Sequence, residues 1–191
     1  GPMVKYNKLD SDSLRTFMVG DDVNNSSEKY YGNNHVQGPD ARHGTHVAGI
    51  IAASRGNKTG IEGIANNVKI MILRAVPNGD ERDKDVANAI YYAVDNGATV
   101  INMSFGKYYS PDKKLVDAAV KYAQSKDVLL IHAAGNESKN NDEELSYPSR
   151  ELLDGTIATN WIQVGASAYK KGEKIIGSFS NYGQKKVDLF A

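Results

Sequence analysis

Val128-Leu129-Leu130-Ile131-His132-Ala133-Ala134-Gly135-Asn136 is the stretch whose reading decides the class of fold. It is an almost unbroken apolar run closed by a Gly-Asn turn, so Val128 to Ala134 reads as a strand inside a sheet. Working outward, Thr99 to Phe105 (TVINMSF) reads as another strand. Val68 to Val76 (VKIMILRAV) is a continuous apolar run ended by Pro77-Asn78-Gly79, which predicts a buried strand. Trp161 to Ser167 and Lys186 to Phe190 look like further strands. Two helices fall between. Asp83 to Asn96 places Val86, Ala89, Ile90, Ala93 and Val94 on one face, with Gly97 as a stop. Pro111 to Lys126 turns Leu115, Val116, Ala119, Tyr122 and Ala123 inward. Strands alternating with helices predict an α/β fold, a parallel sheet with helices on both faces. Sites in such sheets form outside the carboxyl ends of the strands. Two strand ends carry unusual chemistry, Ser104-Phe105-Gly106 and Ala133-Ala134-Gly135-Asn136. A Gly-Asn pair after a strand is by default a turn, but the asparagine amide could also serve an anion developing beside it.

Upstream, Arg42-His43-Gly44-Thr45-His46-Val47-Ala48-Gly49-Ile50-Ile51-Ala52-Ala53 follows a polar lead-in that ends at Asp40. Val47, Ile50 and Ile51 fit one helical face. A histidine opening such a helix meets the positive end of its dipole, which favours the neutral imidazole that a general base needs. Gly44, Ala48 and Gly49 suit a helix packed very close to its neighbours. The bland reading is a structural histidine. A metal reading, with His43 and His46 one turn apart, lacks the glutamate of H-E-x-x-H and any cysteine partner.

Composition narrows the classes. The chain has 191 residues, with Lys plus Arg (23) equal to Asp plus Glu (23), so no global charge points to nucleic acid or to a membrane surface. Without cysteines it has no disulfide, thiolate zinc site or cysteine nucleophile. No apolar run reaches the length of a membrane span. Gly1-Pro2-Met3 reads as a cleavage scar ahead of an internal start rather than as a signal peptide. Residues 4 to about 40 are polar and loop-like, apart from a short helix expected within Leu9 to Val19.

Taken together these motifs resemble the subtilisin-like serine proteases, the subtilase family (peptidase S8). His43-Gly44-Thr45-His46-Val47-Ala48-Gly49 matches the family's histidine motif, and Ala133-Ala134-Gly135-Asn136-Glu137 its oxyanion-hole motif. Val100-Ile101-Asn102-Met103-Ser104 matches the substrate-binding strand, and Gly60-Ile61-Glu62-Gly63-Ile64-Ala65 a turn into the next strand. The resemblance covers residues 38–191, a partial catalytic domain. Residues 1–37 look like a scar and part of an insertion. It implies a three-layer subtilisin-like fold, here incomplete, and a polypeptide substrate. His43 would be the general base. Asn136 would donate its amide to the oxyanion. Ser104, Phe105 and Gly106 would form one edge of the substrate cleft, pairing with an extended peptide. Ala133, Ala134 and Gly135 would line the pocket for the residue before the cut, leaving it wide and uncharged. No cofactor is required. Asn57 resembles a calcium-ligand position, although a plain surface loop is the simpler reading of Arg55-Gly56-Asn57-Lys58-Thr59-Gly60. The resemblance gives His46 a structural role, while His132 reads as a packed core or cleft-side residue of its strand and His35 as solvated. It also implies a secreted or extracytoplasmic site of action.

Two motifs of the family do not occur in these residues: V-x-x-I-D-[ST]-G around the triad aspartate and G-T-S-x-A around the nucleophile. The chain by itself is therefore expected to be inactive, a piece of an active protease or else a pseudoprotease that keeps a peptide-binding cleft. Unpaired strand edges and bare apolar surface are expected to make it self-associate or to leave it marginally stable.

Overall fold

The computed structural model describes residues 11–38, 40–76, 79–169, 172 and 175–191. The chain separates into two compact units, Gly1–His43 and Gly44–Ala191.

In the first unit, helix α1 (Ser11–Val19) occupies the expected place, and residues 9 and 10 of that expectation lie outside the described residues. The remainder is turns. Asp22, Asn25 and Asn33 each accept a backbone N–H two residues on, which is why this polar sequence forms loops rather than periodic structure. Asp21 is buried and accepts two hydrogen bonds from Arg15, at 2.7 and 3.1 Å. Asp40 accepts from the Arg42 N–H at 3.0 Å, just where helix α2 (Arg42–Ala52) begins.

The second unit is built on a four-stranded parallel sheet, β1 (Val100–Met103), β2 (Leu129–Ala133), β3 (Trp161–Gly165) and β4 (Leu189–Phe190), in the order β1-β2-β3-β4. Register is set by pairs such as Ile101 with Leu130 and Leu130 with Trp161. Helices α3 (Asp83–Asp95) and α4 (Lys113–Ser125) come where the apolar spacing predicts them. Val86 and Ile90 of α3, Val116 and Val120 of α4, and Met103, Leu130 and Trp161 of the sheet form one core. Burial alternates along β2 and β3: Leu130, His132, Trp161 and Gln163 are buried, and Leu129, Ile131, Ile162 and Val164 are only half-buried. One face is thus fully covered, and the fold is an incomplete α/β arrangement of the expected kind.

Two expectations fail. Val68 to Val76 forms no strand, and Val68, Ile70, Met71 and Ile72 are 41–51% exposed. An isolated run gains nothing from extended backbone unless its N–H and C=O groups find a partner strand, and the sheet of described residues ends at β1. Helix α2 has no buried residue, and a Cβ at Gly44 or Gly49 would meet nothing within 4 Å. The close packing that these glycines predict is therefore not formed. The close approach lies instead at Gly63, where a Cβ would come 2.3 Å from the Ala53 nitrogen. There the 63–65 segment satisfies carbonyls at the end of α2 and just beyond it: Ile64 N–H donates to Ile50 O, Ala65 to Ile51 O and Gly63 to Ala53 O.

Candidate active-site groove

A groove of about 270 Å³ opens at the carboxyl ends of β1 and β2. Ser104, Phe105 and Gly106, leaving β1, form one wall, and Ala133, Ala134, Gly135 and Asn136, leaving β2, form the other. Parallel pairing of β1 with β2 puts both exits at one end of the sheet. All the residues expected to line a cleft thus meet in one place. His43 belongs to the first unit and is exposed in the first turn of α2.

The turn after β2 is held by a side-chain network that the motif alone does not reveal. Gly135 has φ +113°, and a Cβ there would fall 2.3 Å from Asn181 Nδ2 and 2.8 Å from Glu137 Oε2. Only glycine fits. Fully buried Asn181 accepts the Glu137 and Lys139 N–H groups on Oδ1 at 2.9 and 3.0 Å. Its Nδ2 donates to Ala134 O and to the Tyr108 hydroxyl. Glu137 Oε2 accepts from the Asn136 N–H at 2.8 Å and from the Tyr108 hydroxyl at 2.7 Å. One carboxylate therefore ties the β1 wall to the β2 wall. Burial and Glu137 push the Tyr108 hydroxyl pKa up. The backbone of Asn136 is fixed, while no hydrogen bond restrains its exposed side-chain amide among the described residues. A rigid turn presenting a free amide is the arrangement that a developing anion requires.

Beneath the β1 wall sits His132, 1% exposed, between Phe105 (ring centroids 6.4 Å apart) and Trp161 (5.3 Å). Gln163 Oε1 accepts from Trp161 Nε1 at 3.1 Å and faces His132 Nδ1 at 3.4 Å. Because that oxygen can only accept, Nδ1 carries the proton in the neutral ring. Nε2 lies beside the Phe105–Gly106 backbone with no partner of hydrogen-bond geometry among the described residues. Burial pushes the His132 pKa down from 6.5 to about 4, against a smaller opposing effect of Gln163. The expectation of a packed strand residue holds for this histidine.

Ala133, Ala134 and Gly135 bring no charge to the β2 wall, but other parts of the groove are charged. Asp80, Glu81, Lys107 and Glu137 also line it. The signal of the first two was visible as the charged run Asp80-Glu81-Arg82-Asp83, a pattern that ordinarily marks a solvated face. Here Glu81 and Asp83 are buried.

In the loop where the resemblance suggests calcium, two side-chain oxygens accept loop N–H groups. Asn57 Oδ1 accepts the Thr59 N–H at 2.9 Å, and Glu62 Oε1 accepts the Gly56 N–H at 3.0 Å. Both groups serve the loop itself. No cluster of three or more His, Cys, Asp or Glu side chains able to hold a metal ion occurs among the described residues, around His43 and His46 or elsewhere.

Comparison with known proteins agrees with this geometry. The sequence pattern of the subtilase family, Peptidase_S8, matches residues 8–191, including much of the polar segment ahead of the histidine. The chain belongs to the subtilase family. This subtilase is 42% identical over 144 residues to a thermophilic serine proteinase of Bacillus sp. (strain AK1), covering 74% of this chain and 32% of that protein. To the major intracellular serine protease of Bacillus subtilis (strain 168) it is 36% identical over 153 residues, covering 78% of this chain and 44% of that one. A solved cold-adapted subtilisin-like serine proteinase superposes with a TM-score of 0.60 at 31% identity, over 78% of this chain and 48% of the other. The subtilase described here thus spans less than half the length of each.

Proposed function

We propose that this chain carries the base and half of the oxyanion hole of a serine endopeptidase that hydrolyses peptide bonds through a Ser-His-Asp triad. His43 takes the proton of the serine hydroxyl and later passes it to the leaving amine. Asn136 donates its side-chain amide to the tetrahedral oxyanion. Ser104, Phe105 and Gly106 pair with the extended substrate, and Ala133, Ala134 and Gly135 face the side chain before the cut. The observation that carries this reading is a single groove lined by both strand exits, with the Asn136 amide free at its edge. Neither the aspartate nor the serine motif occurs in these 191 residues, so the chain alone is proposed to be inactive. The same two facts, a retained groove and absent partners, favour a second reading, a pseudoprotease or peptide-binding module. No cofactor is required in either. Of location, the resemblance implies an extracytoplasmic protease, while two relatives are named as intracellular.

The test has two arms. The chain alone, incubated with casein and a fluorophosphonate probe, remains unlabelled; covalent labelling overturns the proposed inactivity. A longer polypeptide supplying the aspartate strand and a G-T-S-x-A segment hydrolyses casein, and His43→Ala abolishes this. Asn136→Ala lowers its kcat by roughly 10²–10³, the magnitude established for the same donor in subtilisin. A longer polypeptide that binds peptide without cleaving it favours the second reading.

A further inference from the structure

The charge in the groove has a sign. Asp80, Glu81 and Glu137 line it against one lining cation among the described residues, Lys107. Lys107 is already engaged. Its Nζ lies 2.8 Å from Asp83 Oδ1, both side chains being buried, and donates to the Glu81 carbonyl at 2.6 Å. That leaves the Glu81 carboxyl group, 3% exposed, with Oε1 lacking any hydrogen-bond partner among the described residues. A buried carboxylate with an unserved oxygen is costly, and burial accordingly raises its pKa, with Asp80 and Asp83 adding to the effect. A second polar atom of the same groove is in the same condition: Ser146, 8% exposed, has no partner for Oγ among the described residues. A solvated acidic face would have neither feature.

The group that meets these conditions is a cation rich in hydrogen-bond donors, since charge-assisted bonds to a carboxylate in a desolvated site are the strong ones. We propose that the groove selects peptides bearing a lysine or arginine, whose cation is held by the Glu81 carboxylate with the charges of Asp80 and Glu137 beside it. This rests on the reading of the groove as a peptide cleft. Phe105 and the small β2 wall then bound the aliphatic stem of the basic side chain rather than an apolar residue.

The experiment is a binding comparison on the intact chain, which needs no turnover. Fluorescein-labelled hexapeptides carry one arginine, moved through each position of an Ala/Gly background. Each is paired with its citrulline counterpart, the same shape without charge, and binding is read by fluorescence anisotropy at neutral pH. At one position arginine binds about tenfold more tightly than citrulline, and the ratio shrinks as salt is raised. In Glu81→Gln the ratio falls to about threefold or less, and Asp80→Asn, on an exposed residue, lowers it too. Thermal melting establishes that both variants are folded, and Asp80→Asn carries the test if Glu81→Gln is not. Equal binding of both peptides at every position overturns the proposal and leaves the cleft standing. Binding of neither peptide overturns the cleft reading and the proposal together. An arginine preference unchanged in both variants refutes the assignment to Glu81 and Asp80.

Discussion

Acidification from pH 7 to pH 4 perturbs this fold through His132. The folded state keeps that ring neutral because it is buried, with Nδ1 at Gln163 and Nε2 against the Phe105–Gly106 backbone. Its pKa is held at about 4 rather than 6.5. The unfolded chain takes up a proton as the pH falls through 6.5, and the folded chain does not until about 4. The contribution to stability is therefore complete above pH 6.5, declines through the window from 6.5 to 4, and changes no further below it. The separation of the two values corresponds to about 3 kcal/mol. The single tryptophan, Trp161, packs on the same ring, so its fluorescence follows urea unfolding at each pH. Carboxylates titrate at the acid end of the range, and a His132→Gln reference removes their contribution by subtraction. The wild-type minus variant difference should rise by about 3 kcal/mol between pH 4 and pH 7. A difference flat to within about 1 kcal/mol would refute the reasoning, because a ring titrating alike in both states adds no slope.

Three further outcomes follow from the same geometry. Gly135→Ala puts a methyl group 2.3 Å from Asn181 Nδ2 at a φ of +113°, and thermal melting should show a loss of roughly 2–4 kcal/mol. A Cβ at Gly106 meets its nearest atom at 3.5 Å, so Gly106→Ala costs far less. Lys107→Met strands the buried Asp83 carboxylate and should cost about 3–5 kcal/mol in urea titrations, while Lys107→Met with Asp83→Asn recovers a measurable part. We also expect the chain to self-associate through its exposed 68–76 segment. Ile70→Lys with Ile72→Lys should shift sedimentation velocity towards the monomer and change stability by only about 0.5 kcal/mol.

Local order along the chain determined much of this protein. The helices α3 and α4 and the strands β1 to β3 follow from apolar spacing and turn residues that any short window contains. The motif carrying Asn136 and the strand exit at Ser104 were legible for the same reason, since each is a contiguous run at a strand end. The 68–76 segment has the same local signal and forms no strand, because a strand also needs a partner, and pairing is not a property of a window. Likewise Gly44 and Gly49 have the composition of a close-packed helix, while only the neighbours decide whether packing occurs. What the tertiary structure alone decided is the polar chemistry of the groove. Asn181 and Tyr108 reach the Gly135-Asn136 turn from 45 and 28 residues away, counted from Asn136. His132 loses its proton affinity, and Glu81 keeps an unserved oxygen, only because chain remote in sequence removes water from around them. Periodicity and turn chemistry are written into adjacent residues, whereas desolvation and hydrogen-bond partners depend on what the folded chain brings alongside.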